Sequence, residues 1–423
     1  MGAEIAQLVP HHRLPIFALF TANAISMVGN VLAVVAIPWF VLQTTGSATQ
    51  TGITGFFTIL PVIVAAFFGG SLVDRLGFKR ASIIADLTSG IAIAMIPLFY
   101  QFLGLAFWQL LILVFIGNLL DAPGGTARAA LIPDLAKLAG MRLERASATT
   151  QAVERGSRLI GAPLAGLLIT VLGTANVLWI DAATFLISAA IVTVAVPQLS
   201  HPATTEKSKN YFAELGDGLK FIRRDKLILA LTLTVMVTNF LDTPSGSVIM
   251  PVFVKQSSGS AIDLGLFFAA LGGGSLAGAI VFGAIGHRLP KRATFISMFV
   301  IVGLRFWVLA IAPPMPILLI IWAIAGFAAG PLNPIMATIE YERIPANMRG
   351  RVFGTMTAGS YLAIPVGMLL VGFLLERIGI QWTVLAMGAC YLAATLSLIV
   401  NPAIREMDQA SQPSLVKEYG LGE

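Results

Sequence analysis

Twelve apolar runs, each about twenty residues long or longer, constrain this chain more than any other feature of its sequence. A helix that crosses the hydrocarbon core of a bilayer needs about 20 apolar residues. Apolar residues make up 57% of the chain and charged residues 11%, whereas soluble domains hold roughly 45–50% and about 25%. The sequence therefore predicts an all-α membrane protein and argues against a soluble enzyme or a disordered chain. The predicted spans 1 to 12 are residues 14–42, 51–73, 81–103, 106–127, 148–172, 176–196, 227–254, 264–285, 293–311, 316–339, 352–375 and 381–400.

The basic residues indicate which loops face the cytoplasm. The chain has 27 Lys and Arg, and all but three lie at the termini, in even-numbered loops or at the helix ends beside them. Lys255 and Arg377 border odd-numbered loops, and Arg305 lies inside span 9. Because cytoplasmic loops carry an excess of Lys and Arg, we expect a multi-pass protein of the cell (plasma or inner) membrane. Its even-loop side and both termini are expected in the cytoplasm. The charges are divided among short loops, so the predicted partner is the lipid bilayer and not a nucleic acid.

The longest hydrophilic stretch divides the chain into two halves of six spans. The predicted domains are an N-terminal half, a cytoplasmic linker, a C-terminal half and a cytoplasmic tail, at residues 1–200, 201–226, 227–402 and 403–423. The second part of the linker places four apolar residues at helical spacing: Phe212, Leu215, Leu219 and Ile222. This pattern predicts an amphipathic helix at the membrane interface. It is either a tether that packs on the bundle or a regulatory or partner-binding element.

A basic motif follows span 2, and an imperfect copy follows span 8. They read Gly70-Ser-Leu-Val-Asp74-Arg75-Leu-Gly77-Phe-Lys79-Arg80 and Gly283-Ala-Ile-Gly-His287-Arg288-Leu-Pro-Lys291-Arg292. In the first copy, Gly70 would allow close helix approach and Gly77 a tight turn between antiparallel helices. Asp74 could accept hydrogen bonds from Arg75 or from the N-terminus of a neighbouring helix. Internal repetition of this kind is common in transporters.

The first copy resembles the loop 2–3 signature of the major facilitator superfamily at every defining position. Five further stretches resemble the macrolide-efflux and enterobactin-exporter branch of that superfamily: residues 39–46, 131–135, 179–185, 216–224 and 349–353. The resemblance covers roughly residues 13–402 and implies the major facilitator fold, with twelve transmembrane helices in two six-helix halves. It also implies a proton-linked exporter, without identifying the solute.

The resemblance gives the loop 2–3 motif a gating role. It implies that Asp74 meets the start of span 11 only while the cytoplasmic side is closed, with Arg349 and Arg351 as possible partners. The remaining motif residues, Gly70, Arg75, Gly77, Lys79 and Arg80, would belong to the same gate. The alternative is a charged topology anchor without a gating role.

Polar groups inside the spans are the candidates for solute binding or proton coupling. Asn-x-x-Asp-x-Pro occurs once in each half, at Asn118–Pro123 in span 4 and Asn239–Pro244 in span 7. Asn and Asp three residues apart share a helix face, and a carboxylate this deep should face a cavity or a partner. The family resemblance implies that spans 1, 4, 7 and 10 line a central cavity. The candidate residues are Asn30, Asn118, Asp121, Asn239, Asp242 and Asn333. The alternative is that these groups only bond to one another and lock the helices together.

Asp121 and Asp242 are the two candidates for the proton-coupling carboxylate. Asp242, taken as a lone carboxylate near the midplane, is expected to titrate during the cycle. Two interpretations of Arg305 stay open. Its side chain either extends toward the outer interface beside Trp307 or is a buried counter-ion whose partner the sequence does not identify. Asp86 and Asp181, nearer to helix ends, are expected to be structural hydrogen-bonding groups.

Signatures of catalysis and of bound cofactors are missing from the sequence. The four His lie in tails or loops without ligand spacing, and neither a nucleophile elbow nor a nucleotide-binding loop is present. We therefore expect a monomeric transporter that is not an enzyme and needs no cofactor and no metal. Its expected partners are a lipophilic or amphipathic small molecule of the drug, macrolide or siderophore type, and protons. The alternatives are an importer or lipid flippase of the same fold, or a membrane sensor without transport.

Overall fold

The fold is that of a computed structural model, which describes residues 12–198 and 211–408. Residues 1–11, the first part of the predicted linker at 201–210 and the tail from residue 409 lie outside the described residues. Within the described ranges the chain is helical, with no strand. This confirms the predicted all-α membrane fold.

Eleven helical stretches in the described part of the chain are long and apolar enough to cross a membrane. They are Leu14–Thr45, Ala48–Ala66, Phe78–Leu103, Phe107–Leu138, Leu143–Leu172, Thr174–Ala195, Lys226–Ser257, Ala261–Arg288, Lys291–Ile311, Met315–Arg343 and Arg349–Val400. The last stretch is interrupted at Gly379, whose φ of 77° and ψ of 170° are not helical. The interruption divides this stretch into the predicted spans 11 and 12, and we keep the span numbers 1 to 12.

Several helices continue beyond the predicted ends. Span 4 reaches Leu138 instead of residue 127, and span 5 begins at Leu143 instead of residue 148. Hydropathy identifies the apolar middle of a helix, whereas the backbone hydrogen bonds of the helix continue into the charged residues that follow. One consequence is that Arg128, counted with an even-numbered loop, belongs to the second helix of span 4.

The two Asn-x-x-Asp-x-Pro segments lie at breaks in their spans. In span 4 one helix ends at Leu119 and the next begins at Asp121. In span 7 the α-helix ends at Pro244 and continues as a π-helical turn, Ser245–Ile249. Proline removes a backbone donor and crowds the preceding turn, and π-bulges are frequent at functional sites. Both carboxylates are thus next to an irregular stretch of backbone.

The chain forms two compact units. Among the described residues, the first comprises 12–33, 64–161 and 175–198, and the second 34–63, 162–174 and 211–408. Spans 1, 2 and 5 are therefore divided between the units. The predicted division into six-helix halves stays a prediction.

The core of the first unit joins spans 1, 4, 5 and 6 near the even-loop side. Its buried members include Ile16, Leu19, Leu131, Leu135, Ala146 and Val192. Their apolar side chains hold the even-loop ends of these four spans together, beside the polar groups that lie deeper in spans 3, 4 and 6.

Glycines bring the helices of the second unit into close contact. A Cβ atom built on Gly274 of span 8 would lie 2.1 Å from the carbonyl oxygen of Ala323 in span 10. The same atom on Gly326 of span 10 would lie 2.1 Å from the carbonyl oxygen of Leu271. Small residues permit this approach, and span 8 contains three consecutive glycines at residues 272–274.

The linker helix, Tyr211–Arg224, packs on the second unit. Phe221 is 2% exposed and lies with Ile222 in a cluster that includes Val352 of span 11. Leu219 is 41% exposed and lies outside this cluster, and the side chain of Phe212 lies outside the described residues. The buried face is rotated toward Phe221 because span 11 contacts that side.

Candidate functional site

In the first unit, Asn30 of span 1 holds Asp121 of span 4. The Asn30 amide donates to both carboxylate oxygens, at 3.3 and 3.4 Å. Asn118, predicted to share a face with Asp121, instead donates its amide to the carbonyl of Val114 at 2.8 Å. The structure thus brings together two of the three polar residues predicted for this part of the cavity, and Asn118 is bonded within its own helix.

A buried ion pair lies nearby in spans 3 and 4. Arg128 donates to Asp86 at 2.6 Å, and the hydroxyl of Ser188 in span 6 donates to the other carboxylate oxygen at 2.7 Å. Both charged side chains are almost completely buried. This confirms the expectation that Asp86 is a structural hydrogen-bonding group.

Asp181 of span 6 departs from the same expectation. Its side chain is buried, and neither carboxylate oxygen has a hydrogen-bond partner among the described residues. The sequence-based reading as a structural hydrogen-bonding group is therefore wrong for this state of the protein. The cause is its neighbour in span 1, Gly29, which presents a bare backbone to the carboxylate in place of a donor side chain.

In the second unit, Arg305 of span 9 is the counter-ion of Asp242. Its guanidinium donates to one carboxylate oxygen of Asp242, and the Tyr391 hydroxyl of span 12 makes a long contact of 3.5 Å with the other. The guanidinium also lies 4.8 Å from the centre of the Phe306 ring. The reading of Arg305 as an interfacial side chain is wrong, because it is buried. The interpretation of Asp242 as a lone carboxylate is also wrong, because Arg305 donates a hydrogen bond to it.

The two remaining candidates, Asn239 and Asn333, have different surroundings. Asn239 donates its amide to the backbone carbonyl of Ser360 in span 11, at 3.3 Å. Asn333 is exposed at the start of the second helix of span 10. Asn239 therefore joins two helices through a backbone carbonyl, and the predicted roles of Asn239 and Asn333 in the cavity stay predictions.

The loop 2–3 motif forms a tight turn between spans 2 and 3. Gly77 has a φ of 77°, which glycine adopts readily, and it joins the helix ending at Leu76 to the one beginning at Phe78. Lys79 donates to the carbonyl of Thr193 at 2.9 Å, and the side chains of Asp74, Arg75 and Arg80 are exposed or partly exposed.

The close helix approach expected at Gly70 occurs one residue earlier. A Cβ on Gly70 would meet no atom within 4 Å, whereas one on Gly69 would lie 2.7 Å from Cγ of Pro123. The proline of span 4 projects toward that position, so Gly69 is the residue that the packing requires.

The proposed gate partners have contacts of their own within the second unit. Arg351 lies 3.4 Å from a carboxylate oxygen of Asp217 in the linker helix. Arg349 donates to the carbonyls of Tyr341 and Ile344. Any contact with Asp74 would therefore compete with these bonds.

Nearly the whole chain has a counterpart in a known family. The sequence profile of the Major Facilitator Superfamily matches residues 19–258 and 235–419. The chain belongs to the major facilitator superfamily. Members of this family are transporters rather than enzymes, and the match agrees with the resemblance that the loop 2–3 motif carries.

Curated relatives of this major facilitator include efflux proteins. The multidrug efflux pump Tap of Mycobacterium tuberculosis is 32% identical over 415 residues, which are 97% of this chain and 98% of Tap. Macrolide efflux protein A of Streptococcus pyogenes is 22% identical over 399 residues, 94% of this chain and 98% of that protein. The crystal structure of the nucleoside transporter NupG superimposes with a TM-score of 0.75 at 12% identity, covering 93% of this chain and 99% of NupG. That structure supports the fold alone.

The sequence reading missed three partners of the intramembrane charges. Arg128 lies seven residues after Asp121, two turns along the same helix, and a helix drawn to Leu138 would have placed it inside the bilayer. Tyr391 carries a hydroxyl in the middle of span 12, which is a visible signal. The pairing of Arg305 with Asp242 joins positions 63 residues apart, and a single sequence contains no signal for it.

Proposed function

We propose that this protein is a proton-driven exporter of lipophilic or amphipathic small molecules that works by alternating access. The observation that carries the proposal is the 32% identity, over nearly the whole length of both chains, to a protein named as a multidrug efflux pump. The solute class is taken from the efflux relatives and from the apolar lining expected of the cavity. Import, lipid flipping and sensing without transport remain the alternatives.

The contact between Asn30 and Asp121 supports a role in proton coupling. Asp121 is partly exposed, and its side-chain bonds come from a neutral amide. Among the described residues no cation donates a hydrogen bond to Asp121, whereas Asp242 is bonded to Arg305. Asp121 can therefore gain and lose a proton during the cycle, and in its ionised form it can bind a cationic group of the solute.

The ion pair of Asp242 and Arg305 supports a different role for the second candidate. Asp242 is bonded to the guanidinium of Arg305, a group that stays charged. We therefore assign Asp242 to a fixed charge pair that positions span 7 against span 9. Asp121 becomes the candidate for proton exchange, with Asn118, Asn239 and Asn333 as polar neighbours of the transport path.

The gate and the orientation complete the proposal. Asp74 and the basic residues of its motif would close the cytoplasmic side by contacting the start of span 11. Arg349 and Arg351 would exchange their present partners for Asp74 in that state. A monomer in the cell membrane with both termini in the cytoplasm agrees with the distribution of basic residues.

A transport assay in liposomes tests this function. The purified protein is reconstituted, an acidic interior is imposed, and uptake of radiolabelled erythromycin or of ethidium is followed. Because protons leave as solute enters, the proposal predicts accumulation that a protonophore abolishes. Asp121→Asn should reduce this accumulation at least tenfold and leave solute exchange measurable. Thr126→Ala is the matched control, since its exposed hydroxyl bonds only to the carbonyl of Ala122 in its own helix.

Other results would favour the alternatives. Accumulation that needs an alkaline interior would indicate import with protons. Movement of a fluorescent phospholipid between leaflets would indicate a flippase. An absence of flux for both probes and the lipid, in protein that is folded, would favour a sensor.

A further inference from the structure

Asp181 is a buried carboxyl group without a partner. Its residue is 0% exposed, and both side-chain oxygens lack a hydrogen-bond partner among the residues that the structure describes. The contrast is with Asp86, which is equally buried but bonds to Arg128 and Ser188. The same unit therefore holds one fully satisfied acid and one that is not satisfied at all.

Two consecutive residues of span 1 contact Asp181 and Asp121. A Cβ atom on Gly29 would lie 2.6 Å from Oδ1 of Asp181 and 2.0 Å from the Thr184 hydroxyl, so the carboxyl group lies against the bare backbone of Gly29. The next residue, Asn30, holds Asp121. The two carboxyl groups are thus on either side of a single pair of residues, and Asp121 acts electrostatically on Asp181.

The charged groups around Asp181 are few. Asp121 of span 4 acts on Asp181, and the two charged groups that act on Asp121, Arg128 and Asp86, are bonded to each other. Span 1 contributes the uncharged pair Gly29 and Asn30. The charge of Asp121 is therefore the one near Asp181 that is not already balanced by a bonded counter-ion.

An ionised Asp181 would be unfavourable in this setting. Burial of a charge without a partner is costly, and ionisable groups within membrane spans are typically functional. Ionised Asp121 and ionised Asp181 would also repel each other. A neutral carboxyl group at Asp181 resolves both difficulties.

We propose that Asp181 stores the proton that drives export and exchanges it with the aqueous path through Asp121. Gly29 and Asn30 of span 1 lie between the two carboxyl groups. This proposal rests on the proposed proton-driven efflux. The proton leaves the carboxyl group of Asp181, binds the carboxylate of Asp121 and passes from there to water. Asp121 is partly exposed, so it exchanges the proton with water. Asp181 is buried, so it holds the proton between exchanges. Solute and a proton compete for Asp121, so the proton on Asp181 can leave only after the solute has been released from Asp121.

Infrared spectroscopy tests the proton store without a transported solute. Protonated carboxyl groups absorb at a carbonyl frequency that carboxylates lack. We expect such a band at pH 7 in the wild-type protein, its loss in Asp181→Asn and its retention in Thr184→Val. The control removes a hydroxyl from the same helix face, where it bonds to the backbone of residue 181. If Asp181→Asn fails to fold, Asp181→Ser removes the carboxyl group with less bulk.

Transport measurements separate the failure of this inference from that of the proposed function. In liposomes with an acidic interior, Asp181→Asn should accumulate ethidium at least tenfold less than Thr184→Val, while ethidium exchange persists. Ethidium accumulation by the wild-type protein that does not depend on the pH gradient would overturn the proposed function. Gradient-driven wild-type accumulation, together with an unchanged band and unchanged accumulation in Asp181→Asn, would overturn the role of Asp181 alone.

Discussion

At the scale of single residues, the members of the span 7 ion pair differ in their exposure. The side chain of Arg305 is 7% exposed and that of Asp242 is 32% exposed. Removing one partner of a buried pair leaves the other uncompensated, which costs about 3–5 kcal/mol. The penalty should depend on which charge is left behind. An unpaired Arg305 would remain a buried charge, whereas an unpaired Asp242 would be a partly exposed one.

We therefore predict an asymmetry in stability between two single variants. Asp242→Asn should lower the free energy of unfolding by about 3–5 kcal/mol, and Arg305→Gln should lower it by less. The double variant should recover most of the loss, because neither charge remains. Thermal unfolding in detergent measures all three proteins. Equal losses in the single variants, or additive losses in the double variant, would contradict the buried-pair account.

The residues that the sequence identified and those it missed differ in one physical respect. The position of Asp121 inside a span follows from local hydropathy, and the φ of 77° at Gly77 was foreseeable from the turn that its motif requires. Partner choice does not follow in this way, because it depends on how distant helices pack. Arg305 reaches Asp242 and Asp181 faces Gly29 only after spans that are far apart in sequence come into contact.

At the scale of helices, the contact between spans 8 and 10 depends on particular glycines. Gly274 faces the carbonyl of Ala323 so closely that a Cβ would have to displace backbone, whereas Gly272 on the same helix has open space within 4 Å. A glycine-rich sequence such as that of span 8 favours close packing. It did not predict which glycine makes the contact, since that depends on the rotation of the helix.

These two positions provide a matched pair of variants. Gly274→Ala should destabilise the protein by about 1–3 kcal/mol, the usual cost of overpacking. Gly272→Ala should be neutral or stabilising by up to about 1 kcal/mol, because alanine favours the helix over glycine. Thermal unfolding of the two variants in the same detergent measures the difference. A stable Gly274→Ala protein would show that spans 8 and 10 can separate at this point without loss.

The lengths of the helices show the limit of hydropathy in another way. The middle of each span was predicted from its apolar run, and the break at Gly379 agrees with two spans in the final stretch. The extension of span 4 to Leu138 was not predicted. Charged residues continue a helix where neighbouring helices and backbone bonds support it, and composition alone does not report that support.

At the scale of the whole molecule, the second unit includes parts of spans from the N-terminal half. On the odd-loop side, Gly52 of span 2 lies against Gly372 of span 11, and Gly166 of span 5 lies against Gly265 of span 8. Glu376 accepts bonds from the backbone nitrogen of Thr49 at 3.1 Å and from its hydroxyl at 2.7 Å. A carboxylate at the start of a helix is stabilised by about 0.3–1 kcal/mol. Together these contacts hold span 2 against span 11 at the predicted outer surface.

Alternating access requires these contacts to break once in each transport cycle, since solute cannot leave on the odd-loop side while spans 2 and 11 touch there. A covalent link between the two helix ends should therefore arrest the cycle. We predict that Thr49→Cys combined with Glu376→Cys, in a Cys390→Ala background, loses at least nine-tenths of its ethidium transport when treated with a short, reducible thiol cross-linker. Reduction of the linker should restore transport. Each single-cysteine variant treated in the same way is the control for loss of the carboxylate or the hydroxyl. Full activity in the cross-linked double variant would show that these ends need not separate, and a different exit for the solute would be required.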